Sequence, residues 1–321
     1  MSALLEETYQ NDVAAVLSEI SDVGYVSLTS DMWSSINNVS FLSLTGHYLY
    51  GTGSKVKMRT KIISCKKFPS RHTSANIQAS LENTLSNMGI REKVVSLTTD
   101  NAANMLKASK DAKIPSIGCF AHLLNNAVTQ ALQFPEMKAI RDKVSKVVAL
   151  TRRSTNALLE LQEAQRGLGR KLRKLVQDVP TRWNSTYLML VCAKEEKSVL
   201  IVLVNSYNLG LDDLDFLSVE EWGKLDDAIE VLEPCYLATL EMSAEKITTA
   251  AKSIPLAKML LHKYDRLSND PGKSEFFKAL SGLMYTELLK RFDRLEGDNC
   301  FITLSYKEMQ MHSYTLGEGG D

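Results

Sequence analysis

At 321 residues the chain exceeds the usual size of one domain and is long enough for two parts, each with a core. Its 38 Lys plus Arg balance 38 Asp plus Glu, which excludes a wholly basic nucleic-acid-binding module and leaves any electrostatic case to local clusters. The five scattered cysteines, Cys65, Cys119, Cys192, Cys235 and Cys300, never form a C-x-x-C pair and exclude a disulfide scaffold, and Met1 to Ile20 matches neither a signal peptide nor a membrane span. An intracellular protein that does not enter a membrane is expected.

In chain order, Leu5, Val13, Val16, Leu17 and Ile20 fall at helical spacing and predict a lead-in helix within residues 1–22. Residues 25–30, 41–50 and 55–65 are β-branched or aromatic runs separated by turn-like Ser34-Ser-Ile-Asn-Asn38 and Gly51-Thr-Gly53, the pattern of a three-strand meander. A helix over 74–89 follows, with Ile77, Leu81, Leu85 and Met88 on one face and Gly89 as its stop. Then come a strand over 93–99, a short helix over 104–110, a strand over 116–120 and a helix over 123–132. An antiparallel set that crosses over to parallel strands builds one mixed sheet covered by helices. Beyond Phe134 the strand signals fade, and 137–165, 188–205, 219–241 and 254–267 read as helices. The expected plan is a mixed α/β core over 23–134, a helical domain over 135–298 and an irregular tail over 299–321.

The most informative local feature is an echo. Val26-Ser-Leu-Thr-Ser-Asp31 recurs as Val95-Ser-Leu-Thr-Thr-Asp100, each a short strand ending in an aspartate. The strand period of two puts Asp31 on the face of Ser27 and Thr29, and Asp100 on the face of Ser96 and Thr98. If the two strands are neighbours, the carboxylates converge. An oxygen-only pair suits Mg²⁺ or Mn²⁺, and two such ions about 4 Å apart serve phosphodiester cleavage. The alternative is that each aspartate starts a turn or caps a helix.

Five ordered blocks carry a family resemblance: Leu28-Thr-Ser-Asp-Met-Trp33-Ser-Ser, Leu44-Thr-Gly-His-Tyr48, Thr98-Thr-Asp-Asn-Ala-Ala-Asn-Met105, Cys119-Phe-Ala-His-Leu-Leu-Asn125 and Asp178-Val-Pro-Thr-Arg-Trp-Asn-Ser-Thr-Tyr187. Together they resemble the successive motifs of hAT transposases and their domesticated BED zinc-finger relatives. The resemblance implies a ribonuclease-H-like core, an α+β mixed sheet, with an all-helical insertion domain. It also implies an Asp-Asp-Glu catalytic centre in which Asp31 and Asp100 fall on the first two positions, as catalytic and metal-binding residues for Mg²⁺ or Mn²⁺. The family's third acid, a glutamate before an Arg-aromatic-Ser pattern, has no match; Glu287, Glu296 and Glu308 lack that context. The N-terminal BED finger and the C-terminal dimerisation segment also have no counterpart in these residues, although full-length members form homo-oligomers. The expectation is a nuclear, DNA-associated protein with an incomplete core and an incomplete cutting centre. A piece of an active transposase and a regulatory scaffold without chemistry are the alternatives.

Further residues follow from the same blocks. Cys119-Phe-Ala-His122 has the spacing of half a zinc site, but no second pair of ligands accompanies it, so zinc is not expected. The resemblance makes His122 a polar or DNA-contacting residue near the active centre; a buried, backbone-bonded histidine is the alternative. It places Arg182 and Trp183 near the cleaved DNA end, the indole on an unpaired base and the guanidinium on a phosphate; the alternative is that Trp183 anchors a helix over 184–191 in the core. The cluster Arg166, Arg170, Lys171, Arg173 and Lys174, with Arg152-Arg153 before it, has the density to neutralise several phosphates, unless it is only a solvated face. The acidic run at Asp212, Asp213 and Asp215 opposes DNA there. Trp33, beside Asp31, is expected to pack under the sheet edge.

Overall fold

The computed structural model describes residues 2–51, 56–206, 216–243 and 250–293. They fall into two compact units, the first holding the described residues up to Leu123 together with 250–254, the second those from Leu124 to Ser243 and from Pro255 to Asp293. The predicted tail over 299–321, Gly53 and Asp212 to Asp215 lie outside the described residues.

The first unit opens with helix α1 (Ser2–Ser21) and the meander β1 (Val26–Ser34), β2 (Ser40–Tyr50) and β3 (Lys57–Lys67). Alternation sets the faces. Val26, Leu28 and Ser30 of β1 and Leu42, Leu44 and Tyr48 of β2 are buried, while their neighbours in sequence turn to the other side. Between β2 and β3 the register shifts at Leu44/Thr45, where Leu44 pairs with Ser64 and Thr45 with Ile62, so Ile63 is the extra residue of a bulge.

Helix α2 (Ser74–Asn87) starts where the Thr73 hydroxyl accepts from Asn76 N–H, and it carries the chain across to β4 (Val94–Thr99). A 3-10 turn over Arg91–Lys93 precedes that strand, and the Lys93 ammonium donates to the last carbonyls of α1, Ile20 O at 3.0 Å and Ser21 O at 2.7 Å. Helix α3 (Ala103–Asp111) and β5 (Ser116–Gly118) complete a sheet of order β3-β2-β1-β4-β5, antiparallel across β1–β3 and parallel across β1–β4–β5. The apolar residues of this sheet form one cluster with Ile20 and Val23, with Ile77, Leu81 and Leu85 of α2, and with Met105 and Ala108 of α3. The expected mixed α/β architecture is therefore present.

Helix α4 (Phe120–Ala131) begins in the first unit and runs into the second. The division thus falls about a helix earlier than Phe134-Pro135. The reason is in the packing: Asn125 Oδ1 accepts from Trp183 N–H at 3.3 Å and the Phe134 ring lies 5.8 Å from Phe276, partners that are all helical.

The second unit continues with α5 (Pro135–Arg153), α6 (Thr155–Gly167), α7 (Trp183–Glu195), α8 (Lys197–Ser206), α9 (Val219–Met242), α10 (Ala250–Ser268) from Pro255 onward, and α11 (Glu275–Phe292). The run read as one helix over 137–165 breaks at Ser154, which adopts an extended backbone and caps α6 by accepting from Ala157 N–H. The run over 188–205 breaks at buried Glu196, whose carboxylate is taken up by tertiary partners. Helix α11 went unread in the sequence, although Ser274 caps it and Phe276, Phe277, Leu280, Met284 and Leu288 line its buried face.

Candidate functional site

Strands β1 and β4 are parallel neighbours with Thr29 opposite Thr98. Two residues further along the chain from that pair come Asp31, still in β1, and Asp100, one residue past the end of β4, so the register brings both to the same end of neighbouring strands. The Asp31 side chain is exposed and has no hydrogen-bond partner among the described residues. Asp100 is half-buried, and its Oδ1 accepts from Ala102 N–H at 3.0 Å, leading the chain into α3. Asp100 thus has the turn-forming role with Oδ1, while its Oδ2 has no hydrogen bond among the described residues.

The turn beside Asp100 is tightly held. Asn101 has a left-handed backbone, φ 69°, and its amide donates to Cys119 O at 3.3 Å, while Cys119 N–H donates to Thr99 O at 2.8 Å. A Cβ on Gly118 would lie 1.7 Å from Asn101 Oδ1, so only glycine leaves room for this amide at the end of β5.

The chemistry of an oxygen-only donor set, two carboxylates at one end of neighbouring strands, fits a hard divalent cation such as Mg²⁺ or Mn²⁺. Among the described residues no group of three or more His, Cys, Asp or Glu side chains comes together to hold a metal. The pair would supply only part of a coordination shell.

Trp33 shares a face with Asp31, two residues on, and stacks on its cross-strand partner Phe41 with ring centroids 5.6 Å apart and planes 16° from parallel. Its indole is 41% exposed, so it does not pack under the sheet edge as expected from sequence. Lys67 pairs with Phe41 in the next strand and extends the row. On the same face His47 lies between two hydroxyls, Thr29 Oγ1 at 3.1 Å from Nε2 and Thr60 Oγ1 at 3.1 Å from Nδ1, and burial lowers its pKa from 6.5. Sequence reasoning assigned neither Trp33 nor His47 a site role. The alternation of β1 and β2 carried the signal for both.

His122 is the third residue of α4 and is half-buried. In the helical unit Arg182 is exposed immediately before α7, but Trp183 is only 3% exposed. Its ring meets Tyr187 at 6.4 Å, and Tyr187 stacks on Tyr236 at 4.5 Å. As placed, the indole offers no face to a base, so its role is the core anchor and not the stacking surface that the resemblance implied. Asp178, which opens this block, accepts from the Thr186 hydroxyl at 2.8 Å and from that of Ser185 at 3.1 Å.

The basic cluster also divides. Arg173 donates to Glu196 Oε1 from Nε at 2.9 Å and to Glu195 Oε2 from Nη2 at 2.8 Å, and Arg170 reaches Glu196 at 3.6 Å and the Glu195 carbonyl. These two arginines are neutralised inside the unit, which corrects their reading as phosphate contacts: a guanidinium already bound to carboxylates has little left for a phosphate. Lys171 and Lys174 remain exposed without an ion pair among the described residues.

Two family models match in succession, the ZBED1 RNase-like domain over residues 29–114 and the ZBED1 RNase-like helical domain over residues 117–231, and together they cover more than half of the chain. Among curated proteins, zinc finger BED domain-containing protein 4 of Homo sapiens is 23% identical over 87% of this chain and 24% of its own length. The BED-domain protein RICESLEEPER 1 of Oryza sativa is 24% identical over 88% of this chain and 39% of its own. A Zea mays protein named for the AC transposase is 25% identical over 70% of this chain and 29% of its own. The chain thus spans well under half the length of these relatives.

Proposed function

Given that the chain belongs to the hAT-type transposases and their domesticated BED-finger relatives, we propose that it is a transposase-derived, DNA-associated nuclear protein whose Asp31–Asp100 pair binds a divalent cation without cutting DNA by itself. The observation that supports this reading is that β1 and β4 are parallel neighbours, with Asp31 near the end of one and Asp100 just past the end of the other, and with the exposed Trp33 two residues beyond Asp31. A bound Mg²⁺ or Mn²⁺ would supply a counter-charge for a phosphate oxygen. Asp31 and Asp100 would hold it, Trp33 would stack an unpaired base for about 1–3 kcal/mol, and Lys67 and His122 of the same unit would meet the backbone, while Arg182 would offer the helical unit a phosphate contact of its own. Two features argue against cleavage by these residues alone. Asp100 commits one oxygen to its turn, and the described residues bring no third metal-binding side chain to the pair.

The test is Mn²⁺ binding by calorimetry, single-stranded oligonucleotide binding by anisotropy and nicking of supercoiled plasmid, with the wild-type chain and the Asp31→Asn/Asp100→Asn double variant. Mn²⁺ affinity is expected to fall at least about tenfold in the double variant, and Trp33→Ala to weaken oligonucleotide binding about tenfold, with no nicking by either chain. Nicking by the wild type that the aspartate variants abolish would overturn the non-cutting reading. Unchanged Mn²⁺ binding in the double variant would overturn the cation site.

A further inference from the structure

Residues 170–179, between α6 and α7, run without helix, turn or bend, and no strand pairs with them. Side chains hold one edge of this extended stretch instead. The buried Gln165 amide accepts from Arg173 N–H at 3.3 Å and donates to Arg173 O at 3.1 Å, and the Arg152 guanidinium donates to Leu175 O at 3.3 Å. In an extended chain the N–H and C=O of one residue point to the same edge, and those of its neighbours to the opposite edge. Arg173 and Leu175 therefore use the inner edge. Leu172, Lys174 and Val176 turn their main-chain groups the other way, where those groups have no hydrogen-bond partner among the described residues.

Leu175 is buried and the exposed Arg173 guanidinium is tied to Glu196, whereas Leu172, Lys174 and Val176 are exposed and not tied to an acidic partner. Beside them lies a groove of about 620 Å³ lined by Arg152, Lys174, Val176, Gln177, Val179 and Pro180. Lys171 and Lys174 flank the stretch without an ion pair among the described residues, the Asp178 carboxylate that also lines the groove is taken up by the Ser185 and Thr186 hydroxyls, and the exposed apolar side chains Leu172, Val176 and Val179 lie between and beyond the lysines. A phosphodiester chain would gain nothing from those apolar groups, and the two arginines suited to grip it are already spent on Glu195 and Glu196. An open row of main-chain donors and acceptors, flanked by lysines and aliphatic side chains, suits a protein segment.

We infer that residues 172–176 form a docking strand for an extended acidic peptide of a partner protein. The peptide adds as a second strand along the free edge, its aliphatic side chains meeting Leu172 and Val176 and its carboxylates meeting Lys171 and Lys174. This inference is independent of the Asp31–Asp100 site.

The probe is a fluorescein-labelled peptide in which aspartate alternates with leucine and valine, titrated with the whole chain and read by anisotropy, beside a labelled single-stranded oligonucleotide. Binding of the alternating peptide, and none of its asparagine counterpart, is expected. Lys174→Pro removes one main-chain donor from the free edge and is expected to weaken the peptide about tenfold. Val176→Asp leaves the backbone intact, repels the carboxylates and is expected to do the same, which keeps the test valid if the proline variant does not fold. Circular dichroism verifies the fold of both. Peptide affinity unchanged in folded Val176→Asp would overturn the inference. So would a chain that ignores the peptide but binds the oligonucleotide in a manner lost on Lys174→Glu, since the stretch would then be a nucleic-acid surface.

Discussion

At the scale of single residues, Glu196 matters most for the helical unit. It is 2% exposed, ends the run between α7 and α8, and accepts from the Arg173 guanidinium and the Gln165 amide, thereby fixing the extended stretch before α7. Glu195 bonds the same arginine from an exposed position. Glu196→Ala leaves buried polar partners unmatched and is expected to lower the unfolding free energy by about 2 kcal/mol. For Glu195→Ala the expected loss is below about 0.5 kcal/mol. Urea unfolding of the two variants measures the difference, and equal losses would contradict this account. His47 provides a pH dependence. Burial lowers its folded-state pKa from 6.5, so protonation favours the unfolded chain. Its contribution is fully present above pH 6.5 and is lost as pH falls through the depressed folded value. His47→Gln is expected to flatten the stability profile across that interval, measured as denaturation midpoints against pH; an unchanged slope would show that His47 does not titrate with folding.

At the scale of elements, capping decides where the long helices begin. Ser218 accepts from Glu221 N–H at 3.2 Å while the Glu221 carboxylate accepts from Ser218 N–H at 2.9 Å, a reciprocal capping box at the start of α9. Lys143 also donates to both Glu221 oxygens at 2.8 Å and, with the Ser218 bonds, holds that carboxyl below the usual range despite its partial burial. Ser218→Ala is expected to cost about 1 kcal/mol, and a thermal melt that does not move would show the box to be idle. Strand alternation in β1, β2 and β4 was readable because a period of two is a local property of the chain. The break between α5 and α6 was not, since Ser154 has neither the ring of proline nor the freedom of glycine and acts only through its hydroxyl. The missed α11 was legible in principle: its buried positions recur every three to four residues after a serine cap.

At the scale of the whole molecule, the even charge balance agrees with what the side chains do, since many cations are matched within their own unit. Lys224 bridges Glu136 and Glu220, Lys273 meets Glu230, and Arg59 meets Glu19. In the basic run before Asp178, Arg170 and Arg173 follow the same rule, whereas Lys171 and Lys174 have no ion pair among the described residues. The sequence by itself determined the mixed sheet followed by helices and the two aspartate-ended strands, because hydrophobic period and short echoes depend on neighbours along the chain. Tertiary structure alone decided that β1 and β4 lie side by side, which brings the ends of the two echoed segments to the same end of the sheet. It also decided that Trp33 faces outward on Phe41 while Trp183 is buried against Tyr187, and that Arg173 belongs to Glu196. Each of these depends on a partner from another element, and burial or charge pairing is settled only when the chain brings that partner into place.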